Sequence, residues 1–150
     1  MLILSVAIVI LDQFTKIWAI NTLKDAGTIT IIPNFFRLLY VENFGAAFGI
    51  LQNKRWIFII ISLIVIIAII FFLLKNYSKL NLLSKIAMAM LLGGAIGNFI
   101  DRAKLGYVVD FFSFRLFNAY EFPVFNVADI FIVLGTFAIF ILVLLNKLEF

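Results

Sequence analysis

Residues 56–74 form an unbroken run without a charge, and Ser62 supplies its only hydroxyl. A helix of about 20 such residues spans a hydrocarbon core roughly 30 Å thick, so a run of this kind is suited to a bilayer. Three more segments approach the same length. Residues 82–100 carry Lys85 near one end, where its ammonium can reach the interface while its stem stays in hydrocarbon. Residues 124–145 contain one ionisable group, Asp129, and one amide, Asn126. Residues 1–23 are mostly apolar but hold Asp12, Gln13 and Lys16 in their interior. The chain as a whole agrees: 65% of its 150 residues are hydrophobic and 13% charged. Soluble domains stand near about half and about 25%, so too little polar side chain is present to cover a soluble globule. The first segment is not read as a cleaved signal peptide. Nothing before Asp12 offers a basic start followed by an unbroken apolar centre.

Two of the connecting stretches look like strands rather than loose loops. Residues 28–32 read Thr-Ile-Thr-Ile-Ile, Pro33 and Asn34 form a turn, and residues 35–41 continue as a second strand. Residues 107–117, rich in aromatic and β-branched side chains, read as a third, with Asn118 as a turn. The expected architecture is an all-α membrane protein of one domain. Its four transmembrane helices lie at about 1–24, 56–74, 82–102 and 124–146. A small β-sheet and a short arm occupy the extracytoplasmic segments at about 25–55 and 103–123. Four crossings bring both termini to one side, and the 75–85 link, with three lysines and no acid, marks that side as cytoplasmic. The far side carries Arg37, Arg55, Arg102 and Arg115 among its own basic residues, so charge bias alone does not fix the orientation.

Composition removes many chemistries. Without Cys there is no disulfide, thiolate nucleophile or thiolate metal ligand, and without His there is neither an imidazole base nor an ordinary zinc site. No metal or other cofactor is expected. The net charge of +4 is too small and scattered for nucleic acid, whereas basic residues between apolar runs suit lipid head groups. What chemistry remains must come from polar groups in or beside apolar helices, each of which costs several kcal/mol unless a partner or water compensates it.

Asp12 and Lys16 are four apart on one helical face with the acid N-terminal, the better order for an ion pair. Asn98 precedes Asp101 and Arg102 by three and four residues, so amide, carboxylate and guanidinium can share one side of the third helix. Asn126 precedes Asp129 by three, about one turn inside the fourth. Gly93 and Gly97 form a small-xxx-small pair, which reads as close helix packing. Asp110 stands between apolar residues in Val108-Val109-Asp110-Phe111. If that strand folds over the bundle, Asp110 comes near Asp129. Two carboxylates at close range cannot both ionise, and the pair then holds an acid and a base at once, as in aspartic proteases. Spacing alone does not single this arrangement out, since an ion-coordinating or purely structural cluster would use the same residues.

The wording of five blocks adds to this. They are Asp12-Gln13-Phe14-Thr15-Lys16; Asn43-Phe44-Gly45-Ala46-Ala47-Phe48-Gly49; the run from Gly93 through Asn98 to Asp101-Arg102; Val108-Val109-Asp110-Phe111; and Phe122-Pro123-Val124-Phe125-Asn126-Val127-Ala128-Asp129. In this order the chain resembles the lipoprotein signal peptidases, or signal peptidase II. Other intramembrane aspartyl proteases are less similar, since Gly106-Tyr107-Val108-Val109-Asp110 lacks their Gly-x-Gly-Asp wording.

The resemblance implies an endopeptidase with Asp110 and Asp129 as catalytic dyad and with Asp12, Lys16, Asn43, Asn98, Asp101, Arg102 and Asn126 as supporting positions. It implies as substrate a bacterial prolipoprotein already carrying diacylglycerol, cut before the lipidated cysteine, and cyclic-peptide inhibitors of the globomycin type. It also implies a multi-pass protein of the bacterial cytoplasmic membrane, with its site at the extracytoplasmic face and membrane lipids around it. The residues themselves add that Gly45 to Gly49 suit a hinged arm, with simple close packing of those small residues equally open. The competing reading is a small ion or solute carrier with Asp12, Lys16, Asp101 and Asp129 along a polar path.

Overall fold

All four apolar runs are helical: α1 (Leu2–Ala26), α2 (Arg55–Asn76), α3 (Leu82–Lys104) and α4 (Val127–Leu144), each long and apolar enough to cross a membrane. The computed structural model describes residues 1–45, 54–117 and 119–146. Most of the expected hinged arm, residues 46–49, and the expected turn at Asn118 lie outside the described residues.

The ends differ from those read in the sequence, for local reasons. α1 continues past 24 to Ala26 and stops where Gly27 adopts φ 74° and returns its N–H to Leu23 O. That left-handed conformation favours glycine. α2 takes in Arg55 and reaches Asn76, and α3 runs on to Lys104. α4 starts at Val127 rather than 124 because Phe125 is bound elsewhere: its N–H meets Phe112 O at 3.1 Å and its carbonyl takes the Phe112 N–H at 2.9 Å. Asn126 then caps the helix, so the Asn126/Asp129 pair lies at its mouth and not one turn inside. The helix ends at Leu144 rather than 146.

α3 packs against all three other helices. Its glycines permit this. A Cβ on Gly93 would stand 2.9 Å from the Ile8 side chain of α1, and one on Gly94 would stand 2.5 Å from Ala128 O of α4. Gly135 of α4 answers from the other side, 2.8 Å from Ala87 O and from Leu91 N by the same measure. Apolar packing divides in two. Ile66, Ile69 and Leu73 of α2 meet Met88 and Leu92 of α3, while Ala19 and Leu23 of α1 meet Val109, Phe111 and Val127. The other helix faces are studded with exposed apolar side chains, such as Ile64 and Phe71 on α2 and Phe137 on α4, as lipid solvent requires.

The sheet is antiparallel in the order β1 (Ile29–Ile32), β2 (Phe36–Asn43), β3 (Val108–Leu116), β4 (Tyr120–Glu121). Pro33 and left-handed Asn34 (φ 59°) make the β1–β2 turn, closed by Phe35 N–H to Ile32 O at 3.1 Å. The short strand β4 was not expected from the sequence. A register shift in β2 between Leu38 and Val41 sets Val41 opposite Asp110 and Asn43 opposite Val108. Val41 and Asn43 thereby share a face with Asp110.

Replacing Gly135 with Ala should lower stability by about 1–3 kcal/mol, because the added methyl meets backbone rather than a movable side chain. The unfolding midpoint in detergent measures this. An unchanged midpoint would mean that α3 and α4 are not in such close contact.

Candidate active site

The site grows from the start of α4. The Asn126 side-chain oxygen accepts the Asp129 N–H at 2.9 Å, and Asp129 Oδ2 accepts the Asn126 N–H at 3.2 Å, a reciprocal cap. The amide nitrogen of Asn126 is free to turn the other way. It donates to Asp110 Oδ1 at 2.6 Å. One asparagine thus ties the two carboxylates together. Each has a second amide donor: Asn43 Nδ2 to Asp110 Oδ2 at 2.9 Å, and Asn98 Nδ2 to Asp129 Oδ1 at 2.7 Å.

Beneath this pair lies an ionic core. Lys16 Nζ is 2.9 Å from Asp12 Oδ2, 3.0 Å from Asp101 Oδ2 and 2.9 Å from Asn98 Oδ1, so its three protons have three acceptors on α1 and α3. The pair expected within α1 is therefore one edge of a triad. Asp12 Oδ1 also accepts the Ala128 N–H at 2.9 Å, which satisfies a first-turn donor of α4 and sets a negative charge at its positive end. Asp101 Oδ2 accepts the Val109 N–H at 3.1 Å and so fixes the strand one residue before Asp110. Gly97 leaves room for the triad, since a Cβ there would stand 2.5 Å from Asp12 Oδ2.

Asn43, Asn98, Arg102, Asp110 and Asp129 line one cavity of about 910 Å³, whose remaining wall is chiefly apolar and includes Val108, Phe125 and Ile132. Arg102 shares this cavity with Asn98 but makes no hydrogen bond or ion pair with Asn98 or Asp101 among the described residues. Its guanidinium lies 5.1 Å over the Phe58 ring and faces the charges of Asp129, Asp110 and Asp101. Asp110, on the sheet and 2% exposed, is raised to about 7, first by burial and then by the charge of Asp129. The Asn43 and Asn126 amides and the Lys16 charge oppose that rise without cancelling it.

All nine polar residues singled out in the sequence belong to this region. Two further participants have no site role assigned from the sequence. Gln13 Nε2 lies 2.9 Å from Asp101 Oδ1 and 3.3 Å from Asp12 Oδ2, bridging the acids of the triad. Its place beside Asp12 in an apolar helix was the available signal. Arg55 donates to Arg102 O at 3.0 Å and to Ala103 O at 2.8 Å, capping the end of α3 that carries Arg102. No local pattern in the sequence pointed to that. Among the described residues no group of three or more acidic side chains is arranged to hold a metal.

Residues 4–145 match the family model described as signal peptidase (SPase) II. The chain belongs to the signal peptidase II family. A lipoprotein signal peptidase of Clostridioides difficile (strain 630) is 46% identical over 143 residues, 95% of this chain and 93% of that protein. One from Caldanaerobacter subterraneus subsp. tengcongensis is 53% identical over 128 residues, 85% and 84% of the two. A solved structure described as a bacterial membrane enzyme superimposes with a TM-score of 0.87 at 39% identity, covering 97% of this chain and 87% of that one. Membership in the signal peptidase II family accounts for the ordered blocks and lends the carrier reading no support.

Stability should register the Asp110 proton. Unfolded, an aspartate loses its proton near 3.9; folded, Asp110 keeps it to about 7. Across that window the folded state binds the extra proton, so this group's contribution is full below about 4 and is lost as pH rises through about 7. Unfolding midpoints of parent and Asp110→Asn, followed from about pH 4 to 8, should diverge in favour of the variant as pH rises. Parallel curves would show that Asp110 titrates as an ordinary surface acid.

Proposed function

We propose that the chain is an intramembrane aspartic endopeptidase. It removes the signal peptide from diacylglyceryl-modified prolipoproteins and cuts before the lipidated cysteine, with Asp110 and Asp129 as the catalytic pair. The observation that carries this reading is the double grip of Asn126 on both carboxylates at one cavity. Asp110, which keeps its proton up to about pH 7, lends it to the scissile carbonyl oxygen. Asp129 takes a proton from the attacking water, whose oxygen bonds to the carbonyl carbon. Asp129 then passes that proton to the amide nitrogen, Asp110 recovers one from the tetrahedral hydroxyl, and the C–N bond breaks. Atoms and charge balance without metal or cofactor.

The supporting roles follow from contacts. Asn43, Asn98 and Asn126 orient the carboxylates; Lys16, Asp12 and Asp101 hold Asn98 and the ends of α4 and β3; Arg102 offers a cation to substrate carbonyls in the cavity. The apolar wall suits diacylglycerol and a signal helix arriving sideways from the bilayer, and cyclic peptides of the globomycin type would compete for it. The sheet and the dyad lie at the extracytoplasmic face of a bacterial cytoplasmic membrane, and both termini lie in the cytoplasm.

Asp110→Asn and Asp129→Asn should each lower cleavage of a lipidated precursor by at least about 10²–10⁴-fold, read by mass shift with purified protein. Chelators and thiol reagents should leave the parent active, and an unlipidated precursor should be cut poorly. Near-normal turnover by either variant would remove that residue from the pair, and loss with chelator restored by a divalent ion would replace the mechanism with a metal one.

Topology has its own test, since no native Cys interferes. An impermeant thiol reagent should label Thr28→Cys in intact cells and Ser78→Cys only after permeabilisation. The reverse pattern would put the site on the wrong side for an exported precursor.

A further inference from the structure

The sheet carries a second pocket on the face opposite Asp110. On the Asp110 side Phe36 stacks on Phe114 and lies tilted against Phe112. On the other side Arg37 pairs with Thr30 and with Ser113, and Arg115 pairs with Glu121. Thr30, Pro33, Asn34, Phe35, Arg37 and Arg115 enclose about 260 Å³ there.

Its charge is unbalanced. Arg37 Nη2 and Arg115 Nε each reach Glu121 at 2.6 Å, so two guanidiniums share one carboxylate and one positive charge is left over in the group. Arg37 Nε is buried and has no hydrogen-bond acceptor among the described residues. Both arginines line the pocket, so an anion entering it would meet this surplus positive charge. Guanidinium forks suit phosphate oxygens in particular.

The surroundings narrow the source of that anion. Phe35, in the wall of the pocket, and Phe117, just beyond Arg115, are exposed apolar side chains. The same face reaches α1 through the edge contact of Phe111 with Trp18, where Phe14 and Ile17 are exposed as well. An anion bordered by apolar surface has the chemistry of a lipid headgroup above its acyl chains.

We propose that the Arg37–Arg115 pocket binds the phosphodiester of an anionic membrane phospholipid. The inference rests on the sheet's lying at the membrane face, as in the proposed function, and is independent of the dyad.

The test uses full-length protein reconstituted in equal phosphatidylcholine and phosphatidylglycerol, with lipids retained after mild extraction counted by native mass spectrometry. The parent should retain phosphatidylglycerol in preference to phosphatidylcholine, and millimolar inorganic phosphate should not displace it. Arg115→Gln should lower that preference about fivefold, the effect of one basic residue near an anionic surface. Glu121→Gln should raise it, a gain that a misfolded protein would not show. Lys79→Gln, in the α2–α3 link, should leave it unchanged, and so should Asp110→Asn. Equal losses in Arg115→Gln and Lys79→Gln would reduce the effect to diffuse attraction and overturn the site. Displacement by inorganic phosphate would make it a site for the free ion instead. An Asp110→Asn variant that stays active and keeps its lipid would overturn the dyad alone, and an active parent that shows no lipid preference would overturn the lipid site alone.

Discussion

The Lys16 ammonium is 2% exposed in the middle of an apolar helix, and everything around Asp110 and Asp129 depends on how its charge is met. An uncompensated charge there would cost several kcal/mol, and two carboxylates and an amide oxygen supply the compensation. Those acceptors come from two helices. The triad therefore fixes α1 against α3 in register and rotation, which dispersion between apolar faces alone would leave loosely specified.

Each partner of Lys16 is committed a second time, and these second bonds define the site. Asn98 turns its amide to Asp129, Asp12 receives the Ala128 N–H, and Asp101 receives the Val109 N–H. The first turn of α4 and the start of β3 are thus held to one charged centre, and Asn126 joins their two carboxylates across the remaining gap. The geometry is preorganised by bonds whose loss would strand a buried charge, so it resists drift in a fluid bilayer. Gly97 is part of the same design, since any side chain there would enter the space that Asp12 occupies.

Much of this was legible in the sequence, and the illegible part has physical causes. Helix existence follows from apolar runs matched to bilayer thickness, and it was read correctly for all four. Helix ends depend on what competes for the backbone. Nothing in residues 124–126 reveals that Phe125 bonds to Phe112 and delays α4 until Asn126 can cap it. Polar residues in apolar helices were conspicuous because hydrocarbon tolerates so few, which brought Asp12, Lys16, Asn98, Asp101 and Asn126 forward together. Their pairings were less visible. Periodicity within α1 gave the Asp12–Lys16 edge but could not give Asp101 or the Ala128 N–H, which come from other elements. Likewise i,i+4 spacing put Arg102 on the side of Asn98, where both line the cavity, but could not show the Phe58 ring beneath its guanidinium.

Asp110 holds its proton up to about pH 7 because it is buried and lies beside the charge of Asp129. Carboxyl-sensitive infrared titration of the substrate-free protein measures this directly. The parent should show a protonated carboxyl that persists well above the usual 3.9 of a free aspartate and disappears near 7. That signal should be missing in Asp110→Asn and should move to lower pH in Asp129→Asn, where the neighbouring charge is gone. A parent whose spectrum matches that of Asp110→Asn throughout the range from about pH 5 to 8 would contradict the account.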